Sequence, residues 1–416
     1  MQNDVLIIGG GAAGLLAAGI AARRGLRVTV LEKNDRPARK LMITGKGRCN
    51  VTNACTLVND LMDNIPENNR FLYSAFSRFM PYDMMELLES LGVELKIERG
   101  NRVFPVTDRA VTVVDALVKY AKTGGAVLRT GVTVKNLVFE NGAVTGAEDL
   151  NGTFYPAENV IVATGGKSYP QTGSTGDGYR FAQSAGHTVV SPRPSLVPLE
   201  TDNKVWRQAQ GLSLKNIAIT VTDTENYKEV YSDFGELLFT HFGVSGPVIL
   251  SASAHLRDVV PDRYELRIDL KPALSTEKLD ARIVRDFAKY ANKSLGNALC
   301  ELLPRSLIPV IVTLSGLDGQ MKANQVTKEM RGELVYLLKN MTARITRTRP
   351  IEEAIVTAGG VKTAEIDPKT MQSKLCKGLY FAGEVIDVDA YTGGFNLQIA
   401  FSTGAQSGRS VAASGR

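Results

Sequence analysis

Residues 5–33, "VLIIGGGAAGLLAAGIAARRGLRVTVLEK", constrain the fold more than any other part of this chain. Residues 5–8 form a continuous apolar run, the pattern of a parallel strand covered on both faces. Gly9, Gly11 and Gly14 follow with the spacing G-x-G-x-x-G. Gly9 permits a tight turn, Gly11 lets the backbone approach a pyrophosphate, and Gly14 lets the next helix pack on the strand. The helix opens at Ala12 and Ala13 and runs to near Arg24, so its N-terminal N–H groups and positive dipole end face the phosphates. Residues 27–31 are the second strand, and Glu32 stands at its end, where a carboxylate binds ribose hydroxyls. A lone glycine pattern is weak, but strand, turn, helix, strand and acid in register describe a dinucleotide-binding βαβ unit.

The chain has 416 residues, enough for two or three domains with a sizeable core. No apolar run approaches the roughly 18–20 residues of a membrane span, and no basic segment precedes the first strand, so neither a span nor a signal peptide is expected. The four cysteines, Cys49, Cys55, Cys300 and Cys376, are scattered, which suits a reducing, cytoplasmic setting without a disulfide framework. Cys49 and Cys55 are spaced as neither a redox pair nor a usual zinc pair, and no metal is expected. The net charge of +6 leaves an acidic partner open.

After the βαβ unit comes a loop dense in Gly, Asn and Thr (40–53). Helical stretches follow, then a hairpin at 92–105, a helix at 108–123, and a strand and hairpin at 126–149 turning on Asn141-Gly142. A buried strand at 159–163 ends in a glycine-rich loop. Between 191 and 272 short runs alternate apolar and polar, as an inserted antiparallel β-domain would. Residues 273–344 carry helical spacing, and from 345 strands return before a last strand, glycine loop and helix at 377–404.

That last glycine loop lies at the far end of the chain from the first. A nicotinamide dehydrogenase completes its cofactor site within one contiguous domain, whereas a long FAD spans both loops. "GGGAAG", "GKGRCNVTN", "ATGG", "FTHFGVSGP" and "GLYFAGEVIDVDAYTGGFNLQIAFSTG" together resemble the YhiN/BaiN-type family of NAD(P)/FAD-dependent flavoproteins over the whole chain. The resemblance implies an α/β fold: a glutathione-reductase-like, Rossmann-like FAD-binding domain (1–190 and 345–416), an inserted antiparallel β-domain (191–272) and a helical subdomain (273–344). It further implies that Glu32 holds the adenosine ribose with Lys33 beside the adenine. Gly45, Arg48, Cys49 and Asn50 would line the flavin and pyrophosphate, and the backbone of Val132 would contact adenine. Ala163, Thr164 and Gly165 match the "ATG" turn. Gly383 and Glu384 stand where related flavoproteins have Gly-Asp, and since the Glu is a departure, Asp387 is the alternative. Gly394, Asn396, Leu397 and Gln398 would set a helix N-terminus at the flavin pyrimidine, where its dipole favours the anionic reduced ring.

The resemblance implies an oxidoreductase with FAD as cofactor and NADH or NADPH as a transient reductant, since only one dinucleotide fold is present. The reaction it implies is reduction of a C=C bond conjugated to a carbonyl, either in a small enone such as a bile-acid intermediate or in a uracil of ribosomal RNA. A flavin-dependent oxidase of a small amine or hydroxy compound is the alternative. Such a reduction needs an acid to protonate carbon. Cys49 and His241 are the two candidates, each with a plainer reading: a small buried thiol and a structural histidine in a packed turn. His187 and His255 read as structural. An RNA acceptor requires Lys/Arg contacts to phosphates, for which Arg344, Arg347, Arg349, Arg282, Arg285 and Lys289 are the candidates.

Overall fold

The computed structural model describes residues 3–412, which form two compact units: one made of the chain up to Ser195 and from Ile351 onward, the other of Leu196–Pro350. In the first unit the apolar run becomes strand β1 (Asn3–Ile8). The turn leads into helix α1 (Ala12–Arg23), and the second run becomes strand β2 (Val28–Glu32), parallel to β1 with Val5 opposite Val28. The sheet extends from β2 to Val127–Thr130 on one side. On the other it runs from β1 to Phe154–Val162, which also pairs with Leu379–Phe381 from the far end of the chain. All of these pairings are parallel. The hairpin Val134–Glu140/Ala143–Asp149 adds an antiparallel flank. Its turn is Asn141-Gly142, both with positive φ, as a two-residue hairpin turn requires.

Helix α1 is built of small residues for a reason visible in its neighbours. A Cβ at Gly19 would stand 2.2 Å from the Tyr120 ring of the helix Ala110–Thr123. On another face α1 meets the C-terminal helix Phe395–Ser410. There a Cβ on Gly404 would lie 2.5 Å from the Ala13 carbonyl oxygen, and one on Gly408 2.7 Å from that of Ala17. Two glycines four apart thus let one helix backbone rest on the other, at a density that leaves no room for a methyl group.

The second unit is a closed barrel of six strands in the order Leu199–Thr201, Gly243–Ser245, Lys228–Phe239, Ser213–Asp223, Tyr264–Asp269, Met341–Thr348. The helices between residues 276 and 339 are an excursion between its last two strands. Leu279, Ile283, Leu334 and Leu338 from those helices share one core with Ile219, Leu266 and Ile345 from the strands. This corrects the expected boundaries. Residues 273–344 are not a subdomain with a core of their own, and the strand expected to return the chain to the first domain at 345 closes the barrel instead. Helical spacing reveals a buried face but not which sheet covers it.

Filling the helix contact is expected to be costly. Gly404→Ala should destabilise the protein by about 1–3 kcal/mol through overpacking. Gly332→Ala, at an exposed helical position with nothing within 4 Å of the added carbon, should stabilise it by about 0.5–1 kcal/mol. Urea midpoints of the two variants should move in opposite directions from the parent.

Candidate functional site

The turn after β1 opens a cleft in the first unit, with about 1330 Å³ of empty space counted out to open solvent. The three glycines divide their work. Gly9, with φ +104°, would place a Cβ 2.5 Å from the Ala163 carbonyl oxygen, and Gly14 would place one 2.0 Å from the Gly9 carbonyl oxygen. Both are demanded by the protein's own packing. Gly11 has nothing within 4 Å, and its open side lies on the cleft. The protein's own packing does not require a glycine there.

Two helices begin at this cleft without a side-chain cap: α1, after Gly11, and Phe395–Ser410, after Gly394 with φ +102°. Uncapped helix ends leave N–H donors without partners and concentrate positive potential, so the cleft is made for an anion. Ala12 and Ala13 line it from the first helix, Asn396 and Leu397 from the second. The side chain of Asn396 is bound back to the backbone at Ala390. Thr164 also lines the cleft, and its buried hydroxyl has no protein partner.

Glu32 is 8% exposed and lies on the cleft wall. Its Oε2 accepts from the Gly10 N–H at 2.8 Å, and its Oε1 accepts from the backbone and side-chain nitrogens of Asn34 at 2.8 and 2.7 Å. The carboxylate is therefore held rigidly at the strand end, with lone-pair capacity left over on Oε2. Lys33 reaches across to Asp177 at 2.7 Å and Thr175 at 2.5 Å. Burial works against the Asp177 charge, but Lys33 and Thr175 outweigh it and keep the carboxyl below its ordinary range. Val132 donates its N–H to the Glu32 carbonyl at 3.0 Å and closes the same end of the cleft.

Opposite them Glu384 follows Gly383 in the wall. It accepts from the Lys40 ammonium at 2.6 Å, the Thr357 N–H at 2.8 Å and the Ser168 hydroxyl at 3.0 Å. Desolvation raises this carboxyl, yet the Lys40 charge and these donors bring it below the ordinary value. Asp387, the alternative, lies off the wall, receives the Asn68 side chain at 3.1 Å, and is pushed up by burial. Lys40, Asn34 and Asp177 line the cleft and were not singled out from the sequence. Each is an ordinary polar residue until folding brings its partner near.

The remaining expected residues stand apart from the lining. Gly45 packs beside Phe104, Arg48 is tied to Glu98 and Asp108, and Gln398 is wholly buried, bonded to Thr52, Ser402 and the Phe79 carbonyl. The Asn50 side-chain oxygen is buried without a partner. Cys49 is 0% exposed with φ +61°, and desolvation pushes its thiol up to about 12. His241 belongs to the second unit, between the strands Lys228–Phe239 and Gly243–Ser245. Its neighbours Phe239 and Val244 are buried, but the residue is exposed and its ring makes a T-shaped contact with Phe242. His187 is the buried structural histidine expected, bonded to Ser373 at 2.7 Å.

The arginines expected to meet phosphates are mostly neutralised. Arg347 and Arg349 share Glu200, Arg344 faces Glu265, Arg282 pairs with Asp286 and Lys289 with Glu301. Arg285 alone of the six has no carboxylate partner among the described residues. Among those residues no cluster of three or more potential metal ligands occurs, and no helix is long and apolar enough to cross a membrane.

The burial of Cys49 is open to direct measurement. In the native protein a thiol reagent at pH 8 should modify exposed Cys300 promptly and Cys49 only after unfolding, since the thiolate is the reactive form. Labelling of Cys49 at the rate of Cys300, read by peptide mass, would contradict its packing in the core.

Known proteins resemble the chain over its whole length. The HI0933-like protein Rossmann domain matches residues 3–410. A 3-dehydro-bile acid delta(4,6)-reductase of Clostridium scindens is 31% identical over 416 residues, covering 99% of each chain. Ribosomal RNA dihydrouridine synthase of Escherichia coli is 31% identical over 400 residues, covering 96% of each. Among solved structures, a flavocytochrome c3 fumarate reductase superposes with a TM-score of 0.53 at 18% identity, covering 99% of this chain and 78% of that one. The 3-ketosteroid-delta4-(5alpha)-dehydrogenase of Rhodococcus jostii RHA1 gives 0.51 at 15% identity, with 99% and 96% covered. The fold is that of the FAD-type flavoproteins, and the relatives named from end-to-end matches are a reductase and a synthase. The chain is an oxidoreductase and belongs to the HI0933-like family.

Proposed function

We propose that this protein is an FAD-dependent reductase of a C=C bond conjugated to a carbonyl, that NADH or NADPH is its reductant, and that its acceptor is a uracil in ribosomal RNA, with a small enone as the alternative. The observation that carries the cofactor assignment is the meeting of two uncapped helix N-termini and an open Gly11 on one cleft. Glu32 receives the ribose hydroxyls, with Val132 and Lys33 beside the adenine. The N–H groups at Ala12 and Ala13 receive the pyrophosphate, backed by the Ala163–Gly165 turn. Gly45, Arg48 and Asn50 shape the loop next to the flavin, while Gly394 and Gln398 fix the start of the C-terminal helix and Asn396 and Leu397 present it. Bound FAD, once reduced by NADH or NADPH, would supply a hydride to the β-carbon of the acceptor.

The chain supplies the rest. The uncapped end of the C-terminal helix favours negative charge in that part of the cleft. Of the two candidate acids, we assign the role to His241, because that residue is exposed whereas Cys49 has no accessible surface. The four cysteines are all free, which suits the reducing cytoplasm in which we place the protein. The names of the relatives favour a reductase over an oxidase.

FAD should copurify, and Glu32→Ala should weaken its binding at least tenfold, which corresponds to about 1.4 kcal/mol of binding free energy. Flavin occupancy equal to the parent after dialysis would refute the role of Glu32. Anaerobic NADH or NADPH should bleach the bound flavin, and RNA should then reoxidise it faster than air does. Rapid reoxidation by oxygen with an amine or hydroxy substrate would establish the oxidase instead. With the flavin already reduced, His241→Ala should slow acceptor reduction by about 10²-fold and Cys49→Ala should leave it near the parent rate.

A further inference from the structure

If the arginines of the barrel unit are occupied by carboxylates, an RNA acceptor needs its phosphates held elsewhere. One place in the first unit carries uncancelled positive charge beside the cleft. The hairpin Leu95–Glu98/Arg102–Pro105 turns through Arg99, Gly100 and Asn101, and pairs with the short strand Thr52–Asn53. A single side chain locks its tip to the start of the C-terminal helix. The Asn53 amide donates to the Gly100 carbonyl at 3.0 Å and to the Gly393 carbonyl at 3.2 Å. The hairpin tip is thus fixed at the end of the cleft where Asn396 and Leu397 begin the helix.

The charges there are of two kinds. Arg48 and Lys96 are spent on Glu98 and Asp108. Arg99 at the tip, Arg109 just after the hairpin and Lys46 on the adjoining loop are exposed and form no ion pair with a carboxylate among the described residues. Arg102, also exposed, stands across from Glu98 without a direct ion pair, adds to the positive field on that carboxylate, and donates its Nε to the Arg99 carbonyl at 3.0 Å. Arg102 and Arg48 both lie against the Phe104 ring, 5.8 and 4.2 Å from its centre, and Gly45 abuts the same ring. Lys46 is therefore carried on a loop seated on the hairpin. That loop leaves the cleft at Thr44 and holds Lys46 in the left-handed region, φ +59°. A lysine is rarely found in that conformation, and such strain collects where a side chain must be aimed. Free cations rimming a site mouth are the footprint of a polyanion's backbone.

We propose that Lys46, Arg99 and Arg102 form the phosphate-binding rim for the RNA acceptor, seating the strand so that one base reaches the cleft. The proposal rests on the RNA reading above and refines it by naming the surface. The test uses the flavin-loaded protein and a ribosomal RNA transcript, with affinity measured at several salt concentrations. The triple variant Lys46→Gln, Arg99→Gln, Arg102→Gln should bind at least tenfold more weakly near physiological salt. Its slope of log affinity against log salt should be shallower by about 2–3, at roughly 0.7–0.9 for each phosphate no longer neutralised. Flavin occupancy and thermal midpoint are read alongside, so that misfolding is recognised, and the single variant Arg102→Gln should make the slope shallower by about 0.7–0.9 if the triple is unstable. The variant Arg285→Gln, Arg344→Gln, Arg347→Gln should retain the parent slope. A parent slope in the hairpin variant, or a shallower slope only in the barrel variant, overturns this surface while leaving an RNA acceptor in place. A parent protein that does not bind the transcript even at low salt, yet reduces a free neutral enone, overturns both.

Discussion

Everything in the flavoprotein unit hangs on a backbone-to-backbone contact between two helices that lie almost a full chain length apart in sequence. Gly404 and Gly408 set the C-terminal helix against Ala13 and Ala17 of α1, with carbonyl oxygens where a methyl group would otherwise be. The contact brings two N-termini to one cleft. It also places Gly383, the residue before Glu384, within van der Waals reach of Ala13. A larger side chain on either helix would separate the termini, and the cleft would lose one of its two concentrations of N–H groups.

The cleft balances its charges in pairs. Glu32 is satisfied by backbone and amide donors, Asp177 by Lys33, and Glu384 by Lys40. Few side-chain cations remain uncommitted on its walls, so its attraction for an anion comes mainly from helix ends. Backbone donors of that kind need no reorganisation when a ligand enters, since the sheet and the glycine contacts already hold them in place. Charge that is free to meet a partner lies outside, on the hairpin tip and the loop seated on it, and the same Asn53 that closes the hairpin ties it to the C-terminal helix.

Much of this was legible before folding. A continuous apolar run, three glycines at fixed spacing and an acid at the next strand end are local features, and β1, α1, β2 and Glu32 appear where that pattern put them. The Asn141-Gly142 turn was legible for the same reason: its backbone conformation is a property of two residues. The barrel was only half legible. Alternation identified its early strands, but the strand Met341–Thr348 closes it after an intervening helical stretch, and no local period reports which distant strand will be a neighbour.

Sequence alone determined the βαβ unit and its glycine turn, because each of its requirements is met within residues 5–33. It also pointed, through the second glycine-rich loop, to both ends of the chain lining one cleft. Only the tertiary structure decided which charges are free. Arg347 and Arg349 read as phosphate contacts until Glu200, far from them in sequence, is found between them. Arg99 and Arg102 read as an ordinary hairpin until Asn53 fastens them beside the cleft. Charge compensation depends on distances of a few ångströms between residues remote in the chain, and those distances exist only once the chain has folded.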